Sequence, residues 1–309
     1  MSGLHPVEPA ALTASVVVRS KNKEATIERT LRALRAQTVQ AQVIVVDSGS
    51  TDSTLDIARK YDAEIVETPP AEFSYGRALN IGAAHATGDI VFALSAHSAP
   101  QSEQWIAHTL EAYQDPAVAC TLGHTEGPDG KTLVGPRAVF AADLDMKHNV
   151  TWGLSNHASS WRRSVWEDFP FHEQMIACED KEWMWRVLDA GYAIVADPRL
   201  YVDLDHRWAQ GAKALYVRTY REWAALAEFA EFDFAPPLRA VARWWSDFPY
   251  PSKRPLWQRR LNPVRNAELA GEFFGVRAGA RRRNTHTTKA VGVKTAALTS
   301  PADGQGLAP

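Results

Sequence analysis

Apolar residues recur along the first hundred positions in short blocks, not in one long run. Ala14–Val18, Val43–Val46, Ala63–Val66 and Gly88–Leu94 are mostly β-branched or otherwise apolar and are bounded by polar turns. Such blocks predict buried parallel strands. Between them lie Glu24–Gln37, residues 52–61 and Tyr75–Ala86, with apolar positions at helical spacing; Ile27, Leu31 and Leu34 share one face. Strand and helix alternate, which predicts a mainly parallel sheet with helices on both faces. The block Val43–Val46 ends in Asp47-Ser-Gly-Ser-Thr-Asp52, so Asp47 falls at the strand-end crevice where open α/β sheets bind ligands. Asp52 or Ser50 is expected to cap the next helix. Ser95-Ala-His-Ser-Ala-Pro100 follows the fourth strand and reads as a polar loop at the same edge.

Beyond Gln114 the alternation fades. Val118–Gly123 and Thr132–Phe140 read as strands around a Gly-Pro-Asp-Gly turn, and Glu179–Ala190 as a helix closed by Gly191. Tyr192–Ala196 and Leu200–Leu204 resume strand character, and Ala212–Phe229 is a long helical pattern. The sequence divides into a loose leader at 1–12, an α/β domain at 13–235, a helical, basic and aromatic extension at 236–280, and a disordered tail at 281–309.

Composition narrows the class. The chain has 309 residues, 45% hydrophobic and 23% charged, as in ordinary globular proteins. No run approaches a membrane span, and the N-terminus has no signal-peptide core. Cys120 and Cys178 stand singly, which predicts two buried thiols in a reducing cytosol and excludes a disulfide framework. Net charge is −2, yet beyond residue 236 thirteen Lys/Arg face four Asp/Glu. That asymmetry points the C-terminal part at an anionic surface, or at the acidic remainder of the chain. Residues 243–283 mix Trp, Tyr and Phe with bases, a pattern suited to peripheral contact with the inner membrane face, to a fold-back over the crevice, or to a dimer contact. No nucleic-acid-binding motif is present. No G-x-G-x-x-G follows the first strand, which disfavours a dinucleotide-binding dehydrogenase.

Five segments in order resemble the inverting GT-A glycosyltransferases of family 2. They are Val16-Val-Val-Arg-Ser-Lys-Asn22, Val45-Val-Asp-Ser-Gly-Ser-Thr-Asp52, Phe73-Ser-Tyr-Gly-Arg-Ala-Leu-Asn-Ile-Gly82, Ala86-Thr-Gly-Asp-Ile-Val-Phe92 and Cys178-Glu-Asp-Lys-Glu-Trp183. The third is most similar to the rhamnosyltransferase-like branch, and the likeness covers roughly 13–210. The resemblance implies a GT-A, Rossmann-like fold with a helical C-terminal extension. It also implies transfer with inversion from a dTDP- or UDP-linked sugar, dTDP-rhamnose among them, to a glycan, lipid-linked or small-molecule hydroxyl in a cytoplasmic enzyme of polysaccharide synthesis.

By the same resemblance Asp47 accepts an imide N–H of the pyrimidine, while Arg19, Ser50, Arg77, Asn80 and Ser95 surround the nucleotide. Asp180 is the general base, in a Glu179-Asp180 pair at a helix start where the macrodipole favours anions. Trp161, Glu179 and Trp183 are expected at the sugar and acceptor, with His157 and Ser159 beside them. Trp183 reads equally well as core, and Trp161 more readily so. The sequence departs from the family where relatives place Asp-x-Asp: here it has Ser95-Ala96-His97. Either His97 and His206 share a Mg²⁺ or Mn²⁺ with the diphosphate, or charge alone stabilises the leaving group. The rival reading is an inactive nucleotide-sugar-binding scaffold or regulator, which the missing carboxylates favour and the Glu179-Asp180 pair opposes.

Overall fold

A computed structural model describes residues 11–145, 149–204, 211–230 and 263–297. The chain divides into two compact units, 1–209 and 210–309. The boundary therefore precedes the long helix at Ala212, not residue 236 as the sequence suggested. His206, the Pro236-Pro237 pair and most of the basic-aromatic stretch 243–262 lie outside the described residues.

The first unit is built on β1 (Ala14–Ser20), β2 (Gln42–Asp47), β3 (Glu64–Glu67) and β4 (Ile90–Ser95), all mutually parallel. Helices α1 (Ile27–Arg35), α2 (Thr54–Lys60) and α3 (Tyr75–His85) connect them. After β5 (Ser98–Pro100) and α4 (Trp105–Ala112) come β6 (Val118–Leu122), β7 (Arg137–Val139), β8 (Ala158–Arg162) and β9 (Ala193–Ala196). They complete an eight-stranded sheet in the order β3-β2-β1-β4-β8-β6-β9-β7. Only β8 and β7 run against the others. Helices α5 (Arg163–Asp168) and α6 (Glu179–Asp189) follow β8, and β10 (Val202–Leu204) pairs antiparallel with β5. The sheet is mixed and mainly parallel, as expected.

Register brings the functional strand ends to one edge. Ser20 lies beside Asp47, Arg19 beside Ser95, Leu94 beside Ala158, and Leu122 beside both Ser159 and Ala196. Because β8 runs backwards, its first residues meet the last residues of β4 and β6. Val16–Val18, Ile44–Val46 and Ile90–Leu94 are almost wholly buried, which accounts for their unbroken apolar runs.

Several elements depart from the sequence reading. Segment 156–161, given no element in the sequence reading, is mostly the central strand β8. Its Ser-Ser-Trp pattern lacks the apolar run of a parallel strand, because Ser160 bonds Tyr113 and Thr121 at 2.9 and 2.7 Å on one face. The expected loop 95–100 contains β5. Helix α1 starts at Ile27, after a turn in which the Lys23 carbonyl accepts from Thr26 and Ile27 N–H. The strand expected at Thr132–Phe140 shrinks to Arg137–Val139. Ser50 caps no helix; Asp52 accepts the Thr54 N–H at 3.0 Å instead. Gly191 follows α6 with φ +92°, the left-handed conformation a helix C-terminus calls for. Cys120 is buried as expected, whereas Cys178 is only half-buried.

In the second unit α7 (Ala212–Phe229) packs along α8 (Pro263–Ala297). A Cβ at Gly271, Gly275 or Gly279 would overlap the backbone oxygens of Tyr216, Tyr220 or Ala224. Three glycines four apart thus let the two helix backbones touch. Helix α8 also runs past residue 280 into the segment read as a tail, whose Ala, Arg and Lys content suits a helix. No helix among the described residues is long and apolar enough to cross a membrane.

Helix α3 lies so close to β1 that a Cβ on Gly82 would overlap Val17 side-chain carbons. Gly82→Leu is expected to cost about 3 kcal/mol by overpacking this seam. Urea unfolding checks it; a wild-type midpoint would contradict the packing.

Candidate active site

The site begins with the turn after β2. Asp47 is fully buried. Its Oδ2 accepts the N–H groups of Gly49 and Ser50 at 2.9 and 2.7 Å, and its Oδ1 accepts the Ser50 hydroxyl at 2.5 Å. Gly49 makes the turn possible with φ +85°. The Ser50 hydroxyl also accepts the Asn22 N–H at 2.8 Å, tying the β1 and β2 loops together. Asp47 is therefore held rigidly, and Oδ1 keeps acceptor capacity toward the crevice.

Arg19, next in the sheet, donates from a terminal nitrogen to the Asn156 carbonyl at 2.9 Å. Its guanidinium sits 5.4 Å from the centre of the Tyr75 ring. Tyr75 makes an edge-on pair with Phe73 at 5.2 Å, and both rings are partly exposed.

Asn156 is the junction of the site, and the sequence reading assigned it no role. Its N–H donates to Asp180 Oδ2 at 3.0 Å, its side-chain amide to Glu179 Oε1 at 2.7 Å, and its carbonyl receives Arg19. Asn156, just ahead of β8, thus joins Arg19 to both carboxylates of α6. A signal was available: an asparagine two residues before the strand start, where backbone and side chain can both point toward the next helix. Asp180 Oδ1 also accepts the Lys181 N–H at 2.8 Å. Among the described residues, the buried Asn156 Oδ1 and Arg19 Nε have no hydrogen-bond partner.

Glu179 is nearly fully buried, 3% exposed. Burial, then the adjacent Asp180 charge, pushes its carboxyl up to about 7, against the pull of Arg19. The α6 start is itself unusual, since Cys178 adopts φ +59°, a left-handed conformation rare for a residue with a side chain.

Other expected contacts fall elsewhere. Asn80 acts as a clamp: its amide donates to the Phe171 carbonyl and Glu173 at 2.9 and 3.0 Å, and its oxygen accepts from Trp166 Nε1 and Phe171 N–H at 3.0 and 2.9 Å. All of its bonding capacity is used to pin loop 166–173. Arg77 pairs with Glu72 at 2.6 Å and Glu173 at 3.5 Å, so its charge is already matched. Trp161 and Trp183 are fully buried and meet Phe171 at 5.0 and 5.3 Å. They are core beneath the site and not sugar walls, because alternation on β8 and the helical turn of α6 direct both inward. Ser159 is buried beside them, and Ser95 is buried at the end of β4.

His97 follows β4, its carbonyl accepting from Arg29 at 3.2 Å while Arg29 pairs with Asp203 at 2.7 Å. The described residues contain no group of three His, Cys, Asp or Glu suited to a metal ion. His206, expected to share a metal with His97, lies outside the described residues. A cavity of about 300 Å³ opens beside Asp180, lined by the ends of β6 and β10, the loop before β8, and Lys181.

A mainly parallel sheet whose strand ends carry Asp47, Arg19 and a Glu-Asp helix start defines a nucleotide-sugar transferase fold of GT-A type. The profile of Glycosyl transferase family 2 matches residues 15–169, half of the chain, and the protein belongs to that family. The chain is 31% identical over 176 residues to the O-antigen chain rhamnosyltransferase WbaN of Salmonella anatum, covering 52% of this chain and 56% of WbaN. It is 29% identical over 195 residues to the glycosyltransferase AglE of Haloferax volcanii, covering 58% and 62%. The match thus spans less than two thirds of either relative. Among solved structures, the fold is similar to a mannosyltransferase from Pyrobaculum calidifontis solved with GDP-mannose and Mn²⁺ (18% identity, 94% of this chain and 76% of that one, TM-score 0.55). TarS 1–349 of S. aureus is similar at 17% identity, 89% and 92% coverage, and TM-score 0.52.

The raised Glu179 carboxyl has a consequence for stability. Below pH 4.5 folded and unfolded chains both hold the proton; between 4.5 and about 7 only the folded chain does, so this group makes stability fall as pH rises. Glu179→Gln is expected to remove that slope and to raise the melting temperature at pH 8. Melting curves from pH 4.5 to 8 check it; an unchanged slope in the variant would contradict the assignment.

Proposed function

We propose that the protein transfers a sugar from a pyrimidine-nucleotide donor, dTDP- or UDP-linked, to an acceptor hydroxyl with inversion, and that Asp180 is the general base. The observation that carries this reading is the Asn156 junction, which holds the Glu179-Asp180 pair against the arginine at the end of β1. Asp47 Oδ1, bonded only by the Ser50 hydroxyl, has a lone pair suited to the imide N–H of uracil or thymine. Tyr75, beside Arg19, supports a stacking role toward the base or ribose. The relatives WbaN and RfbN are named as O-antigen chain rhamnosyltransferases, which supports a deoxyhexose donor and a glycan acceptor.

In the proposed reaction the acceptor oxygen attacks the anomeric carbon from the face opposite the diphosphate. The hydroxyl proton passes to Asp180, the carbon–oxygen bond to the diphosphate breaks, and the nucleoside diphosphate departs with the electron pair. Asp180 is suited to the role because its two oxygens are aimed by the backbone N–H groups of Asn156 and Lys181, at the N-terminus of an eleven-residue helix. Arg19 supplies positive charge on the donor side. A cytoplasmic location is proposed from the two free cysteines.

Asp180→Asn is expected to bind UDP or dTDP as the wild type does and to lose transfer about 10²–10⁴-fold, the usual contribution of a positioned base. Single-turnover assays with calorimetry check both halves, and near-normal turnover would contradict the assignment. A wild type that binds nucleotide yet transfers no sugar would favour the scaffold reading. Calorimetry with UDP in Mn²⁺ and in EDTA separates the two readings of the diphosphate site: binding only with Mn²⁺ supports a metal held by His97 and His206, and equal binding supports stabilisation by charge alone.

A further inference from the structure

The cavity beside Asp180 has a charge character that a neutral sugar hydroxyl does not require. Its polar lining comprises His124, Thr125, Thr151, Ser155, His157, Lys181 and Tyr201, and among the described residues that line it none is acidic. This holds in a chain with 36 Asp and Glu, two of which, Glu179 and Asp180, are the immediate neighbours of Lys181. The Lys181 ammonium donates to the Leu154 carbonyl at 3.3 Å and forms no ion pair among the described residues. It is half-buried, with donors left over for a further partner.

Two imidazoles share the cavity. His124 Nδ1 accepts the Glu126 N–H at 3.3 Å, which leaves the proton on Nε2 as a donor. Burial, and then the nearby Lys181, hold His124 below the usual histidine range, opposed by Glu126. His157 Nδ1 bonds the Ser155 hydroxyl at 2.7 Å. The cavity thus gathers one ammonium, two imidazoles and hydroxyls at the N-terminal turn of α6, where the macrodipole also favours negative charge.

We propose that this cavity is an anion subsite for the acceptor: Lys181 receives a phosphate or carboxylate group that the acceptor carries, while the hydroxyl to be glycosylated lies at Asp180. The proposal rests on the transferase reading above and deepens it from an unspecified acceptor to an anionic one. The donor's own diphosphate is the other source of the same chemistry. The cavity wall at β6 lies three strand spacings from β1, about 14 Å, while Arg19 reaches Asn156 between the lining residues Ser155 and His157, so nucleotide affinity is what separates the two sources. Arg19 is on the donor side and Lys181 beyond the carboxylate pair. Asp180 forms no ion pair with Lys181 among the described residues, its oxygens accepting the backbone N–H groups of Asn156 and Lys181.

The test uses the full chain, with inorganic phosphate as probe for the subsite and UDP and dTDP as probes for the donor side. Phosphate is titrated while the side-chain NMR signals of His124 and His157 are followed; nucleotide affinity is measured by calorimetry. Phosphate is expected to shift both histidines in the wild type. Lys181→Met should weaken that response about tenfold, the loss of one charge-assisted contact, while Lys181→Arg retains it. Nucleotide affinity should be unchanged in both variants, which also shows that they fold. An equal loss of nucleotide and phosphate affinity in Lys181→Met would assign the lysine to the donor diphosphate and overturn the proposal. Histidines that do not respond to phosphate, in a wild type that binds nucleotide, overturn the subsite alone. A wild type that binds neither UDP nor dTDP overturns the transferase reading and this proposal together.

Discussion

The active-site geometry depends on what one asparagine does with three of its polar groups. Asn156 sends its N–H to Asp180, its side-chain amide to Glu179, and accepts Arg19 at its carbonyl. Each bond alone is worth about 1 kcal/mol, or somewhat more where a charge is involved. Their joint effect is positional: the end of β1, the start of β8 and the first turn of α6 cannot move independently. Because β8 runs against its neighbours, its first residues arrive at the edge where the parallel strands finish. An antiparallel strand in the middle of a parallel sheet is what lets a later helix deliver carboxylates to a crevice built by earlier strands.

That arrangement also explains why two adjacent acids differ. Glu179 turns inward, is buried and is held protonated toward neutral pH; Asp180 turns to backbone donors at the crevice. Burial sets the environment of one, and hydrogen bonding sets that of the other. Beneath them Trp161, Phe171 and Trp183 form an aromatic floor. Asn80 pins the loop that carries Phe171, so α3 and α6 are linked through it.

Much of this was legible in the residues. The β1, β2 and β4 blocks announce themselves because strands buried on both faces must be apolar throughout, and the acid at the end of β2 marks the crevice. The Glu-Asp pair before a helical pattern locates the carboxylates. What escaped the sequence has physical reasons. Strand β8 is written Ala-Ser-Ser-Trp-Arg, and its Ser160 is satisfied by Tyr113 and Thr121, residues more than thirty-five positions away. Asn80 and Arg77 stand in a motif that suggests ligand contact, yet long-range partners in the 166–173 loop and Glu72 use them. A tryptophan near a carboxylate pair reads as a sugar platform until its burial is known. Lys181 was visible as a letter, but that it pairs with no acid among the described residues is seen only in the fold.

The central claim is that the crevice at the ends of β1 and β2 takes a pyrimidine nucleotide, with Asp47 reading the base and the carboxylate pair of α6 facing the sugar. Calorimetry of the wild-type protein with UDP, dTDP, ADP and GDP tests it most directly. The account predicts that UDP and dTDP bind and that ADP and GDP bind far more weakly, because an acceptor-only carboxylate suits an imide N–H at the pyrimidine position. Equal binding of all four, or binding of none, would contradict it.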